Sequence, residues 1–510
     1  MRSILCKFGL FYILVFISSI AFAENIVDSS FGNNGKVLEL GDDYARESFK
    51  AILIQDDDKI ITAGTTRYYE GNGWYDIIAL HRYMPDGSKD LTFGNSGDTF
   101  VDHICMVDGC GTYFNNGGDT ILNASFQSDG KIVLTQQAWV DSSSHSDIFG
   151  AVRFNADGTA DTSFGIHPGF AFGGAGYAQN GTVQNDDKVL VVGRYVSNDP
   201  TLISLTRFTA EGQIDDTFGT NGNVFTNANN PTDSVISSGG NDVVTQADGK
   251  IVVVGYTTID SNNSVLGCSG ITNSQTLGVV VRYNENGTLD NSFHGDGIMV
   301  FNPSLIFDVA PCDLSTTNTC QGSSIESVEI QPDGKIIVMG TGHDSAYSVF
   351  VARFHSNGNI DSSFGYEGVT ALYDDYDYKV YNHQSTTFTL NHQDLNVQNM
   401  KLLNNGKIVL SGDYYLGSDY NYRWFMALRF SKNGSFDRTF GTEGVATVNV
   451  DYPTGYPDYA TAFDIDVQSN GKIILGGYVV GSEERQHQGA LVRLPLDYRL
   501  SPGIIIYLLY

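Results

Sequence analysis

Short apolar stretches separated by glycine, asparagine and aspartate run along the chain from about residue 27 onward. Stretches such as KIVVVG (250–255) and GVVVRY (278–283) are rich in β-branched residues and bounded by Asp-Gly or Asn-Gly pairs, which is typical of strands joined by hairpin turns. Outside the N-terminal segment, no stretch of useful length has the 3.6-residue period of an amphipathic helix. The pattern predicts an all-β fold.

One phrase recurs seven times along the chain, and each copy contains a lysine that follows a tight turn. Clear copies are QADGKIVVVG (246–255) and QPDGKIIVMG (331–340). The seven lysines span 413 residues in six intervals, a mean period of about 69 residues, which leaves no room for a second domain. They are Lys59, Lys131, Lys188, Lys250, Lys335, Lys407 and Lys472.

A second phrase follows each copy of the first, as in ARFHSNGNIDSSFG (352–365). Its seventh copy is split between LVRL (491–494) and VDSSFG (27–32), at opposite ends of the chain. A ring of blades closes when both chain ends build one blade, and closure removes open sheet edges. The sequence therefore predicts a single seven-bladed β-propeller over residues 24–510, with four-stranded blades, in which the strand at 36–40 completes the last blade.

The connections between the predicted strands fall into two groups. Two connections per repeat are tight and regular. They are the first and third connections of a four-stranded meander, and because consecutive strands run antiparallel, both lie on the same rim. The other two are irregular and share the opposite rim, as expected for a scaffold that displays a binding surface. The irregular connections include 65–76, 99–120, 225–240, 256–276, 301–324, 371–395, 413–423 and 449–460.

The composition restricts the classes of partner that the chain can bind. The chain has 510 residues, 58 Asp and Glu against 29 Lys and Arg, and a net charge of −29. Such a surface repels phosphate backbones, so we expect no nucleic-acid partner. The 41% hydrophobic share is adequate for a packed core.

The N-terminus is typical of an export signal. Arg2 and Lys7 precede an apolar run at 9–20, and Ala21-Phe22-Ala23 is a small-x-small cleavage site. We expect residues 1–23 to be removed, the remainder to be secreted or periplasmic, and no membrane span to remain. The apolar tail at 501–510 is too short to cross a bilayer as a helix, and we expect it to pack as a strand at the last blade.

Five cysteines remain after removal of residues 1–23. Cys105 and Cys110 lie close together, as do Cys312 and Cys320, whereas Cys268 is left over. In an exported chain this spacing predicts two local disulfides and one free or mispaired thiol. The chain has no C-x-x-C pair, which argues against structural zinc.

Each repeat places an aspartate eight residues after an arginine. One reading is seven anion-binding sites, and the other is a charge pair that pins the F-G turn inside each blade. Recurrence at a turn favours the structural reading. The pairs are Arg82/Asp90, Arg153/Asp161, Arg207/Asp215, Arg282/Asp290, Arg353/Asp361, Arg429/Asp437 and, across the chain ends, Arg493/Asp28.

Two stretches could hold a cation. Asn155, Asp157 and Asp161 resemble part of a calcium loop, but Arg153 occupies the position where such a loop needs an acid, and an Asx turn explains the same residues. The acidic stretch 374–377 is the second candidate. No other metal or cofactor is predicted.

Tyrosine and tryptophan cluster in the irregular connections. Aromatic faces beside carboxylates suit sugar rings, and tyrosine and tryptophan are also enriched in protein interfaces. The alternative is that the rings pack the connections onto the blades. The candidate ligand-binding residues are Tyr68, Tyr69, Trp74, Tyr75, Tyr376, Tyr378, Tyr414, Tyr415, Tyr420 and Trp424.

The two phrases resemble the delta-60 repeat family of bacterial secreted proteins, and residues 332–340 and 352–365 match its pattern almost letter for letter. His294 departs from the pattern by replacing the glycine after Phe293. The resemblance implies a β-propeller and an exported location, and it carries no catalytic residues.

Three functional hypotheses follow. The first is a non-enzymatic, monomeric binding or display protein that uses the irregular rim to bind a glycan or an envelope or extracellular protein. The second is a carbohydrate-active hydrolase or lyase with carboxylates at that rim; because H-E-x-x-H, G-x-S-x-G and P-loop motifs are absent, no catalytic residue is nominated. The third is a structural envelope component.

Overall fold

The structure is a computed structural model of the chain, and the predicted signal segment 1–23 and the tail at 501–510 lie outside the residues that it describes. The described residues are 27–39, 46–70, 73–101, 120–139, 147–174, 176–196, 200–228, 235–259, 274–303, 312–313, 319–320, 322–343, 349–373, 379–381, 395–415, 423–442, 444–450, 459–480 and 487–497.

The described residues form β-strands and contain no α-helix, as the apolar pattern predicts. The strands are β1 (Lys36–Glu39), β2 (Arg46–Ile54), β3 (Ile60–Glu70), β4 (Gly73–Tyr83), β5 (Asp98–Val101), β6 (Thr120–Phe126), β7 (Ile132–Trp139), β8 (Asp147–Phe154), β9 (Phe170–Gly173), β10 (Tyr177–Val183), β11 (Val189–Tyr195), β12 (Leu202–Phe208), β13 (Asn223–Thr226), β14 (Val235–Thr245), β15 (Ile251–Ile259), β16 (Gln275–Tyr283), β17 (Ile298–Phe301), β18 (Cys312–Asp313), β19 (Thr319–Cys320), β20 (Gly322–Ile330), β21 (Ile336–His343), β22 (Val349–Phe354), β23 (Val369–Tyr373), β24 (Lys379–Tyr381), β25 (Leu395–Leu402), β26 (Ile408–Tyr415), β27 (Arg423–Phe430), β28 (Val445–Val448), β29 (Tyr459–Val467), β30 (Ile473–Val480) and β31 (His487–Leu494).

Successive strands pair antiparallel in four-stranded meanders. Three sheets are β6–β9, β10–β13 and β14–β17, and a fourth extends β20–β23 by the short strand β24. A 12-stranded sheet contains the series β25–β28, β29–β31 and β2–β5, which are joined by single parallel bridges at Arg423–Tyr459 and Arg46–His487. The N-terminal strand β1 pairs antiparallel with β31, near the other end of the chain. This architecture is consistent with a β-propeller.

The antiparallel order gives the sheets two different rims. We call the side that carries the D-G-K and F-G turns the turn rim, and the opposite side the variable rim. Each D-G-K turn needs a left-handed residue, and Gly334 (φ 80°) provides it in one repeat. Asp58 and Asp187 adopt the same conformation without being glycine (φ 63° and 64°), and their carboxylates accept hydrogen bonds from Ser469 and Ser128 of a neighbouring repeat.

The apolar core lies between consecutive meanders. Val254 and Val280 pack with Val338 and Phe350 of the next meander in one cluster. Another cluster joins Phe49 of β2 to strands β30 and β31, so the first and last repeats also share buried apolar surface. Burial of this kind contributes about 25 cal/mol per Å² of apolar area, and it holds neighbouring sheets face to face.

Candidate functional site

The turn rim carries a repeated ion cluster. In all seven repeats the arginine Nε lies 2.8–3.0 Å from the Oδ2 atom of the aspartate identified from the sequence. The lysine of the D-G-K phrase approaches the same aspartate, at distances from 2.5 Å for Lys472 to 3.7 Å for Lys131. Each aspartate therefore sits between two cations of its own repeat.

Each of these arginines also reaches into the next repeat. Its Nη1 donates to a backbone carbonyl in the following turn, and its guanidinium lies 4.4–4.8 Å from the centroid of the F-G phenylalanine. The donor and acceptor residues are Arg82/Ala156, Arg153/Ala210, Arg207/Glu285, Arg282/Ser356, Arg353/Lys432, Arg429/Leu496 and Arg493/Pro85.

The aspartates in these clusters are held ionised. Burial alone would raise the pKa of Asp90, but the hydrogen bonds from Thr92 and the charge of Arg82 hold it at about 2. The guanidinium and carboxylate groups are occupied by each other and by backbone. This geometry favours the structural role over seven anion-binding sites. We call these clusters of arginine, aspartate and lysine the arginine clamps. A cavity of about 570 Å³ on this rim includes Lys250 and Arg282, which already belong to the arginine clamp of Asp290.

The first strand of every meander contains a bulge, and the part of the strand from the bulge outward forms the variable rim. The registers of β2, β6, β10, β14, β20, β25 and β29 each shift by one residue at the same repeat position. A bulge redirects one side chain away from the regular pleat. All of the redirected side chains are at least partly exposed: Lys50, Leu122, Gln179, Asn241, Glu326, Gln398 and Phe463. We call them the bulge residues.

In six of the seven repeats, the residue after the bulge has a polar side chain that links its strand to a neighbouring repeat; the exception is Ala51. Asn180 Nδ2 donates to Asp242 Oδ1 (2.8 Å), and Asn399 Nδ2 donates to Asp464 Oδ1 (2.6 Å). Asp464 Oδ2 accepts from the backbone N–H of Ile52, which belongs to the first repeat (2.7 Å). Burial raises the pKa of Asp242 to about 7 and that of Asp464 to about 6. The carboxylate oxygens of Asp242 and Asp464 accept hydrogen bonds from other residues of the fold.

Three bulge residues line a cavity of about 380 Å³ on the variable rim. Asn241 Nδ2 donates to Glu326 Oε2 (2.9 Å) at one wall. The Arg194 guanidinium, at the other wall, lies 5.0 Å from the ring centroid of Tyr177 and 3.5 Å from the Tyr256 hydroxyl. The cavity, which we call the rim pocket, therefore combines a guanidinium, a carboxylate, amides and a phenol.

The sequence-predicted aromatic residues are placed unevenly. In the β3–β4 hairpin, Tyr68 pairs with Tyr75 and Tyr69 with Trp74 in backbone register. Tyr414 is 6% exposed and packs in a core cluster, which makes it a packing residue. Tyr376, Tyr378 and Tyr420 lie outside the described residues.

Tyr415 and Trp424 are partly buried at the variable rim, where an arginine lies between two rings. The Arg423 guanidinium carbon is 4.1 Å from the Tyr415 ring centroid and 3.9 Å from that of Tyr459. Its Nη1 lies 3.5 Å from Oδ2 of Asp413, a fully buried carboxylate whose pKa is raised to about 6 by burial. Arginine, carboxylate and rings thus stabilise each other where the series β25–β28 meets the series β29–β31.

Glu39, His81 and Asp98 are close enough together to hold a metal ion. The ammonium of Lys89 already lies there, 2.8 Å from Glu39 Oε1 and 2.5 Å from Asp98 Oδ1. His81 Nε2 contacts Glu47, and His81 Nδ1 lies 2.6 Å from Asp98. Burial alone would lower the pKa of His81, but these carboxylates raise it to about 9. A charged lysine and imidazolium fit this group better than a metal does.

The cation and disulfide candidates have the following surroundings. Asp157 Oδ1 accepts hydrogen bonds from the Thr159 backbone and hydroxyl, as in an Asx turn, and Asp161 faces two cations. Cys312 and Cys320 are partners in the β18–β19 backbone register, and their disulfide remains a prediction. Cys105, Cys110, Cys268 and the acidic stretch 374–377 lie outside the described residues.

Six segments match the family model described as "Domain of unknown function (DUF5122) beta-propeller". These segments contain both repeated phrases, and the match supports a β-propeller fold built of repeats. No curated protein matches the chain. Among the described residues, no helix is long and apolar enough to cross a membrane. The matched segments are 55–93, 127–164, 184–218, 246–293, 331–364 and 403–440.

Several solved structures are similar at low identity. A protein of unknown function from Dyadobacter fermentans is 10% identical, with 90% of this chain and 98% of that chain covered and a TM-score of 0.40. The polysaccharide lyase Uly1 is 12% identical (88% and 90% covered, TM-score 0.46). An alpha-L-arabinanase from Penicillium chrysogenum, complexed with arabinobiose, is 10% identical (91% and 98% covered, TM-score 0.35). Similarity at this level says nothing about this chain's ligand.

Proposed function

We propose that the chain is a closed seven-bladed β-propeller that binds an extracellular ligand, a saccharide in the first instance, at its variable rim. Contacts between the first and last repeats support closure. Strand β1 pairs with β31, Arg493 donates to the Pro85 carbonyl, and Asp464 accepts from Ile52. The first contact completes the last meander, as β13 completes the meander of β10–β12, and the other two repeat links that join neighbouring repeats elsewhere.

The rim pocket is the observation that carries the binding proposal. Its guanidinium, carboxylate, amide and phenol groups can each pair with a hydroxyl, and Tyr177 and Tyr256 offer ring surface beside them. Pockets with a few convergent polar groups beside aromatic surface suit small polar ligands. The turn rim differs because its charged groups already pair with one another.

Binding is favoured over catalysis by the positions of the perturbed acids. Asp242, Asp413 and Asp464 have raised pKa values, yet each is buried and accepts hydrogen bonds inside the fold. A glycosidase needs two carboxylates that can reach the substrate. The hydrolase or lyase hypothesis therefore ranks second.

The remaining properties belong to the same proposal. Residues 1–23 direct export, and the rest of the chain acts outside the cytoplasm, in the periplasm or beyond the cell, as a monomer. It binds a glycan, or alternatively an envelope protein, and it uses no resident cofactor. Disulfides join Cys105 to Cys110 and Cys312 to Cys320.

A polysaccharide array tests the proposal directly. The chain from residue 24 onward would be screened against bacterial and algal polysaccharides, with and without calcium. We expect at least one to bind, and Tyr256→Ala to weaken it about tenfold or more. Tyr366→Ala, which removes an exposed tyrosine from the turn rim, should leave binding unchanged. No binding at all, or equal loss in both variants, would contradict the proposal.

A further inference from the structure

A second group of variable-rim residues lies where the last repeat meets the first. Lys50 and Phe463 are the bulge residues of β2 and β29, and the Lys50 ammonium lies 3.3 Å from the Phe463 ring centroid. Tyr478 stacks on Phe463 at 5.4 Å and on His487 at 5.0 Å. We call Lys50, Phe463, Tyr478, His487 and the adjacent Arg46 the seam cluster.

The charge in the seam cluster is positive although the chain is strongly acidic. Arg46 is the backbone bridge partner of His487 and lies opposite Arg67 in the β2–β3 register. Burial and the charges of Arg46, Arg67 and Lys50 lower the pKa of His487 to about 4, so this ring is neutral. In the part of the chain that is described, neither Lys50 nor Arg46 has a carboxylate within salt-bridge distance.

The packing of Lys50 has a cost that an anion would offset. The Lys50 ammonium lies against the Phe463 ring, and burial lowers its pKa to about 8, because the packed ammonium has lost part of its hydration. A negatively charged group beside Lys50 and Arg46 would offset this loss, and charge-assisted hydrogen bonds are the strong ones.

We propose that the seam cluster binds the acidic group of an anionic saccharide, a carboxylate or a sulfate ester. Lys50 and Arg46 pair with the acidic group, and Phe463 and Tyr478 contact the apolar C–H groups of the sugar ring. The inference rests on the saccharide-binding function proposed above and adds the charge of the ligand. Both cations lie on β2, whereas the rim pocket is built from β10, β11, β14–β16 and β20, so the two sites have separate residues.

Calorimetric titration of the full chain with three oligosaccharides of equal length tests the inference. The probes are a galacturonic-acid oligomer, a sulfated galactose oligomer and a neutral galactose oligomer. We expect an acidic probe to bind at least about tenfold more tightly than the neutral one. The acidic probe that binds identifies the group as a carboxylate or a sulfate.

Matched variants separate a specific site from general attraction. Lys50→Gln should weaken binding of the acidic probe about tenfold, and Lys50→Arg should restore most of it. Lys432→Gln removes the same charge from an exposed side chain on the turn rim and should have no effect. Thermal melting of each variant confirms that it folds.

Each other outcome has a distinct meaning. Neutral and acidic probes that bind equally, with no effect of Lys50→Gln, would overturn the inference and leave the rim proposal standing. Equal weakening by Lys50→Gln and Lys432→Gln would also overturn it, because the attraction would then be nonspecific. If neither these probes nor any polysaccharide of the array binds, both proposals fail.

Discussion

The two rims of the sheets are built from the same repeats but differ in how their charged groups are arranged. On the turn rim, seven aspartates each lie between an arginine and a lysine, and the arginine continues into the next repeat. On the variable rim, the seven bulge positions carry six residue types, including Lys50, Glu326 and Phe463, and only glutamine occurs twice. The repeated ion clusters of the turn rim hold neighbouring repeats together. The varied bulge residues give the variable rim different functional groups at different positions.

We therefore expect mutations on the two rims to lower the free energy of unfolding by different amounts. A turn-rim arginine is nearly fully buried, and its removal leaves a buried carboxylate with one cation instead of two. A bulge residue is at least partly exposed, so we expect its removal to cost less stability than removal of a buried arginine. The predictions below test that division in order of decreasing effect on stability.

The largest effect is expected from the arginine clamps. Arg282→Ala should lower the free energy of unfolding by about 3–5 kcal/mol, because Asp290 loses its principal partner. Arg493→Ala should cost more, because Arg493 joins the chain ends. Denaturant titration measures both, with Arg194→Ala on the variable rim as the control. Equal losses in the two clamp variants would count against a closed ring.

The His81 cluster should make stability depend on pH. Because the folded pKa is about 9 and the unfolded value about 6.5, protonated His81 stabilises the fold fully below pH 6.5, and this contribution disappears as pH rises through 9. The loss should be on the order of 3 kcal/mol.

Comparison with His81→Leu isolates this group, because Lys50 titrates in both proteins. Denaturant midpoints measured from pH 6 to pH 10 should converge for the two proteins as pH rises. A constant difference across that range would show that His81 does not carry the dependence.

A smaller effect is expected where a glycine contacts the preceding repeat. A Cβ atom on Gly158 would lie 2.6 Å from Cζ of Phe93, whereas a Cβ on Gly295 would meet nothing within 4 Å. Both residues have positive φ (88° and 98°), so the backbone strain of alanine is shared. Gly158→Ala should therefore melt below Gly295→Ala by the equivalent of about 1–3 kcal/mol. Equal melting temperatures would mean that Phe93 can move aside.

The smallest effect on stability is expected on the variable rim. Tyr256→Ala and Lys50→Gln should each change the free energy of unfolding by no more than about 0.5–1 kcal/mol, because both side chains are partly exposed. A loss comparable to that of Arg282→Ala would show that these residues build the fold, and the division between the rims would fail.

The repeated phrases predict much of the fold because each copy has the same local pattern of strand and turn residues. The strands, the tight turns and the Arg/Asp positions lie where the phrases place them. The lysine of the D-G-K phrase is present in every copy, but the sequence does not predict its contact with the aspartate, since the two are about 30 residues apart in the chain.

The candidate site was less predictable for physical reasons. A bulge shifts a strand's two-residue alternation by one residue, but its position depends on pairing with the neighbouring strand, so the shared bulge position of Lys50 and Glu326 could not be inferred. Tyr414 could have been recognised as a core residue, because alternation places it on the same face of β26 as Leu410. The rim pocket depends on residues from several repeats that only the fold brings together.

Hydrogen exchange with and without a saccharide selected on the array tests the division between the rims most directly. The account predicts added protection at the variable ends of the strands, around 192–196, 237–241, 256–259 and 322–326, with the turns unchanged. Protection concentrated instead at the D-G-K turns, such as 127–131 and 331–335, would place the ligand on the turn rim and contradict the account.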